Sequence, residues 1–271
     1  MDVGWRALAS ASLSLVMTVL AVVPAGAAFE GNREPPLPRP VVVHSGVASV
    51  RVPVLMYHHI SELPRDATPM RRELTVTPAA FRAQLAWLQA HGYTTLSAID
   101  VWSALSDGTA LPPRPVVLTF DDGYADAYDV ALPLLRQFGA VGVFFVVVNL
   151  LDREGYLTRD QVRALADAGM DVESHGMDHI NMAKLTLAQQ RAQFCGSRAI
   201  LSLITGRPVR HFAYPNGDAP ISQDALAECD YASAYLKAGG SLQESATPYL
   251  LRRVRVVGGS ADAALPYLLA R

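Results

Sequence analysis

The stretch Pro115-Val116-Val117-Leu118-Thr119-Phe120-Asp121-Asp122-Gly123 decides the fold. An apolar run of six residues that breaks into two carboxylates and a glycine reads as a buried strand ending at reactive side chains. Upstream, Val52 to Tyr57 is a second such run, followed by His58-His59. Between the two, Thr77 caps a helix with Pro78 at its first position, Phe81, Leu85 and Leu88 on one face, and Gly92 as its stop. Downstream, a helical stretch through Leu132, Leu135 and Phe138 leads to a strand at Val141 to Val148. Thr158 then caps a helix to Ala168, Gly169 stops it, and Met170 to Glu173 is the next strand. A longer helix covers Leu187 to Thr205, Val209 to Tyr214 is a strand, and Ser222 opens a short helix. Tyr231 to Leu236 and Arg252 to Val257 are late strands, and Ser260 caps a terminal helix. This alternation with short connections predicts a single α/β domain on one parallel sheet. The number of units favours a distorted β/α barrel over an open sheet.

Composition narrows the function. The 271 residues are 51% hydrophobic and 18% charged, which excludes a disordered or collagen-like chain. With 23 Lys and Arg against 25 Asp and Glu there is no field to gather nucleic acid or anionic lipid. Cys195 and Cys229 are the two cysteines, too far apart for a CxxC pair, so a metal must rely on histidine and carboxylate. Whether they form a disulfide or stay as buried thiols is open. Arg6, the apolar run Ala7 to Val23 and Pro24-Ala25-Gly26-Ala27-Ala28 read as an export signal over residues 1–28, with retention as a membrane anchor the alternative. Residues 29–48, proline-rich from Glu30 to Pro40, are expected to form an extended tail, and residues 49–271 the folded domain.

Reactive residues follow four of the predicted strands: His58, Asp121-Asp122, His175 with His179, and Tyr214-Pro215-Asn216-Gly217. In parallel α/β folds that edge is where sites form. Taken singly, Asp-Asp-Gly and Tyr-Pro-Asn-Gly are turn sequences, His-x-x-x-His can be two surface histidines, and His58-His59 can be one buried and one exposed ring. Their coincidence at equivalent strand ends argues for a site. Histidines four apart can aim both imidazoles at one point. Gly176 stands where a zincin carries its glutamate, so the base must come from elsewhere, and the aspartate pair supplies one ligand and one base. An Asp-His-His set suits zinc, with cobalt, nickel or iron tolerated, and such an ion lowers the pKa of bound water to about 7.

Thr119-Phe120-Asp121-Asp122-Gly123-Tyr124, with Ser174-His175 and His179, resembles the first two motifs of the polysaccharide deacetylase family, the NodB-homology or family 4 carbohydrate esterase domain. The resemblance runs from about Val52 to Val257. Pro53-Val54-Leu55-Met56-Tyr57-His58, Phe212-Ala213-Tyr214-Pro215-Asn216-Gly217 and Leu251-Arg252-Arg253-Val254 look most like the branch acting on poly-β-1,6-N-acetylglucosamine. The resemblance implies Asp121 as general base, Asp122, His175 and His179 as metal ligands, and His58 as general acid. The third motif departs from the family: Ala213 stands in place of its arginine and Asn216 in place of its tyrosine. Arg253 is the candidate substitute for the arginine, and the Asn216 backbone N–H would still bind the oxyanion.

The implied activity is an exported, periplasmic or extracellular metal-dependent N-deacetylase. It would release acetate from an N-acetylglucosamine polymer, with Tyr124, Tyr156 and Tyr214 as candidate sugar platforms. Peptidoglycan, chitin oligomers or acetylated xylan are alternative substrates, and a non-catalytic glycan-binding module is the alternative of another class. No nucleic-acid partner is expected, membrane contact only through a retained leader, and any export machinery or glycan hydrolase would be a separate chain.

Overall fold

The computed structural model describes residues 1, 42–44, 47–259 and 264–270. Residues 2–28 of the expected leader, most of the proline-rich tail and the Ser260 cap lie outside the described residues. Eight strands make the main sheet: β1 (Val54–Tyr57), β2 (Thr94–Leu96), β3 (Pro115–Phe120), β4 (Val143–Val146), β5 (Asp171–Ser174), β6 (His211–Ala213), β7 (Ser233–Tyr235) and β8 (Val254–Arg255). Their order is β7-β6-β5-β4-β3-β1-β8, with β2 beside the start of β3, and every pairing is parallel. A single parallel bridge between Tyr235 and Leu251 brings the two edges together, so the sheet curls into the expected distorted barrel.

The strand sequences explain the curl. Val116, Leu118 and Phe120 of β3 face outward with Phe81, Leu85 and Leu135 of the flanking helices, while Val117 packs with Val54, Val143, Phe145, Ala213 and Tyr235. Both faces are apolar, as a parallel sheet under helices requires. The helices begin where the side chains cap them: Thr77 accepts from Ala80 N–H, and Thr158 and Thr186 form capping boxes with Gln161 and Gln189. Helix Leu187–Thr205 spans the predicted range and ends at Gly206 in the left-handed conformation. It is tied to the end of helix Asp224–Glu228 by a Cys195–Cys229 disulfide, which settles the pairing left open by the sequence.

One feature of the fold departs from expectation. Val42–His44 and Val47–Arg51, partly inside the stretch expected as tail, pair antiparallel, and the second also pairs with Leu242–Glu244. Proline ends at Pro40, and the β-branched run after it has strand propensity that a composition reading of the whole stretch hides. Among the described residues, no helix is long and apolar enough to cross a membrane.

The lower barrel interior holds an acid pair, half-buried Asp171 and buried Glu173. Asp171 Oδ2 accepts Ala98 N–H (2.8 Å), and Glu173 Oε2 accepts Arg210 and His211 N–H (2.9 and 2.7 Å). Burial pushes the Asp171 carboxyl up to about 6. A carboxyl raised above its unfolded value of about 3.9 resists ionisation only in the folded state. Folding therefore carries no penalty below about pH 4 and a growing one up to about pH 6. Asp171→Asn keeps an acceptor for Ala98 and removes the charge. We expect equal stability at pH 4 and a variant more stable by roughly 1–3 kcal/mol at pH 7, measured by urea unfolding. A difference independent of pH would contradict this account.

Candidate active site

The strand ends deliver the reactive residues to one cleft of about 290 Å³. His58 follows β1, Asp121 and Asp122 follow β3, His175 follows β5, and Tyr214 to Gly217 follow β6. Arg253 precedes β8, and its side chain, 1% exposed, reaches Asp121 through the barrel interior. His58, Asp121, Asp122, His175, His179, Tyr214, Asn216 and Arg253 all border this cleft, as do Tyr124 and Gly217, with Met56, Met70, Leu74, Lys237 and Arg255 beside them; Tyr156, the third tyrosine expected as a sugar platform, is not among its lining residues.

Asp122, His175 and His179 each offer one ligand atom, all within 4.8 Å of one another. His175 Nδ1–H donates to the Ala213 carbonyl (2.7 Å), so the neutral ring presents its Nε2 lone pair toward Asp122 Oδ1 at 3.4 Å. His179 Nε2 is 3.0 Å from the same oxygen, which is buried and has no hydrogen-bond donor. A ring lone pair facing a carboxylate oxygen, as at His175, calls for a cation between them, and a backbone carbonyl on the second nitrogen of that ring is how metal-bound histidines are oriented. The donor set fits a divalent ion. Burial opposes ionisation of Asp122, and positive charge beside its Oδ1, from a bound cation or from N–H groups of the two imidazoles, holds the carboxyl well below the usual range. Asp122 and His179 sit at φ 76° and 53°, left-handed conformations that cost energy outside glycine and cluster at functional sites.

Asp121 is 3% exposed, and its Oδ1 accepts a 2.6 Å hydrogen bond from Arg253 Nη1. The same guanidinium donates from Nε to the Leu236 carbonyl (3.0 Å) and lies over the Phe145 ring. Burial opposes the Asp121 charge, while Arg253, then His175 and His58, more than offset it, so its carboxyl lies below the usual range. Arg253 thus reaches Asp121 from the far edge of the sheet, the contact expected of a substitute for the arginine that the third motif lacks.

The two histidines after β1 separate cleanly. His58 borders the cleft, and burial lowers its pKa against the pull of Asp121 and Asp122. His59 is 5% exposed, donates from Nδ1 to Asp126 Oδ2 (2.7 Å), accepts from Arg71 through Nε2, and stacks on Tyr124. Both of its nitrogens are engaged inside the protein, so it has none to offer a substrate.

Asn216 is exposed in a left-handed turn at φ 64°, which asparagine tolerates better than most residues. Gly217 follows at φ 81°, where a Cβ would meet the Lys237 Cβ at 2.2 Å, so glycine alone lets this turn close. The expectation that Tyr214 offers a sugar platform is corrected. It is 1% exposed, its hydroxyl donates to the Tyr249 carbonyl (3.1 Å), and its ring packs edge-on to Phe212. Tyr124 stacks between His59 and Tyr156, with ring centroids 3.6 and 5.2 Å away.

Residues 108–234 match the family model described as polysaccharide deacetylase. A Bacillus subtilis (strain 168) protein whose name places it among polysaccharide deacetylases is 28% identical over 217 residues, 79% of this chain and 74% of that protein. The solved Streptococcus pyogenes deacetylase PplD superposes with a TM-score of 0.75 at 26% identity, over 81% of this chain and 98% of that one. The chain carries the domain of the polysaccharide deacetylase family. Members are hydrolases that remove acetyl groups from polysaccharides. The Escherichia coli (strain K12) poly-beta-1,6-N-acetyl-D-glucosamine N-deacetylase is 30% identical over 148 residues, 49% of this chain but 21% of that enzyme.

The sequence reading missed the short helix Pro69–Leu74, whose Met70 and Leu74 line the cleft, and the Asp126 and Arg71 contacts to His59. A signal was present: Thr68-Pro69 repeats the cap-and-proline start of Thr77-Pro78, and Thr68 does accept from Arg71 N–H.

Proposed function

We propose that this chain is an exported, metal-dependent N-deacetylase acting on an N-acetylglucosamine polymer of the poly-β-1,6-linked type. The observation that carries the reading is the adjacency, in one cleft, of the Asp122-His175-His179 ligand set and an ionised carboxylate, Asp121, clamped by Arg253. Asp122, His175 and His179 would hold the ion, whose chemistry is Lewis-acid polarisation and acidification of water. Asp121 then takes a proton from the attacking water, since Arg253 engages its Oδ1 and keeps the acid ionised at neutral pH. The Asn216 backbone N–H donates to the oxygen on which charge develops. His58, neutral at rest because burial lowers its pKa, takes up the proton that Asp121 abstracted and passes it to the departing amine as the C–N bond breaks, leaving acetate and a glucosamine unit. The poly-β-1,6 choice is supported by the relatives of that name and by the His58 and Asn216 positions. Export is supported by the N-terminal apolar run with its small-residue end and by the Cys195–Cys229 disulfide, a bond characteristic of oxidising compartments.

The test is acetate release from poly-β-1,6-N-acetylglucosamine by residues 29–271. Exhaustive chelation should abolish it, and zinc or cobalt should restore it. Activity that survives complete metal removal would overturn the scheme, and tight binding without acetate release would favour a glycan-binding module.

A further inference from the structure

The helix Pro69–Leu74 has only six residues, too few to be stable alone, yet it is fixed from three sides. Arg71 donates to His59 Nε2 and, from Nη2, to Ser61 Oγ (2.9 Å), while Asp126 holds the other side of His59 and accepts Ile60 N–H (3.2 Å). Arg255 Nη1 pairs with Glu73 Oε1 (3.0 Å). Gly258 N–H donates to the Glu73 carbonyl (2.7 Å), and a Cβ on Gly258 would meet the Arg72 carbonyl oxygen at 1.7 Å, so only glycine allows this docking.

These contacts use the polar positions of the helix and leave Met70 and Leu74, four apart on one face, lining the cleft beside His58 and Asp122. Met70 is 60% exposed. An unbranched, polarisable thioether at the rim of a polar cleft suits the flat C–H face of a pyranose ring.

We propose that this helix is the binding wall for the sugar unit next to the one being deacetylated, with Met70 its specificity-determining contact and the Asp126–His59–Arg71 chain the latch that positions it. The inference rests on the polysaccharide reading above for the identity of the occupant. Its continuity with the reaction cleft is what selects a neighbouring sugar of the same chain over any other ligand.

The test measures the dissociation constant of a β-1,6-linked N-acetylglucosamine pentamer on the Asp121→Asn protein, where turnover does not interfere, and acetate release on the Asp121 protein. Met70→Ala should raise the dissociation constant about tenfold and, in the active protein, raise KM far more than it lowers kcat. Met70→Leu should restore most of the affinity. Arg71→Gln should weaken binding comparably, and add little once Met70 is alanine, because the latch then has nothing to position. Unchanged pentamer affinity in Met70→Ala, or a loss confined to kcat, overturns the wall, and additive Arg71 and Met70 effects overturn the latch. Pentamer affinity that depends on Met70 without any acetate release supports the wall and overturns the reaction instead.

Discussion

Asp121→Asn should lower kcat for acetate release by about 10²–10⁴-fold while metal content stays at the wild-type level. Asparagine is nearly isosteric and can still accept from Arg253, so the cleft should keep its shape. It cannot take a proton from water. Asp122→Asn should do the opposite, weakening metal binding, because its Oδ1 is the oxygen both imidazoles face. Metal analysis beside kinetics therefore separates the two neighbouring carboxylates. If Asp121→Asn lost the metal, or kept its rate within tenfold of wild type, the assignment of base and ligand would be reversed or void.

The backbone conformation explains why one acid can do each job. Asp121 continues the β3 direction, its N–H donating to the Tyr57 carbonyl (3.0 Å), and its side chain points into the barrel where Arg253 waits. At Asp122 the chain turns to φ 76°, which sends the next side chain toward His175 and His179. The strained residue thus separates a proton acceptor from a metal ligand with no spacer between them, and Gly123 at φ 78° completes the turn.

Much of this was legible because it depends on local signals. Pro115–Phe120 and Leu187–Thr205 have the bounds read from apolar runs and caps, and the strand-end position of His58, Asp121, Asp122 and His175 follows from pattern alone. What the sequence hid depends on contacts between distant segments. Thr94–Leu96 is a three-residue strand of mixed polarity, recognisable only once β3 lies beside it. Asp171 and Glu173 look like the polar face of a strand, and only closure of the barrel turns that face inward. Tyr214 sits beside the reactive turn in sequence, yet its hydroxyl is drawn into the core by Tyr249, thirty-five residues away. His58 and His59 are adjacent and identical in type, and they are told apart by Asp126 and Arg71, which no motif marked.

The second large effect is on stability. Arg253→Met leaves the Asp121 carboxylate buried without its partner and should cost about 3–5 kcal/mol at neutral pH, together with most of the activity. Methionine fills much of the space over Phe145 but returns neither the bond to Asp121 nor those to Leu236 and Thr119. Because the folded-state pKa of Asp121 is depressed, the stabilisation by the pair is present above its unfolded value of about 3.9 and fades as pH falls below it. The cost of Arg253→Met should shrink at acid pH, where the carboxyl takes up a proton. Asp121→Asn combined with Arg253→Met removes both charges, and the double variant should be more stable than the sum of the single losses by roughly 2 kcal/mol. Urea unfolding of the four proteins at pH 7 measures this coupling. Strictly additive losses would mean that Arg253 stabilises the barrel through its contacts with Leu236, Thr119 and Phe145, and that the charge of Asp121 is held by something else.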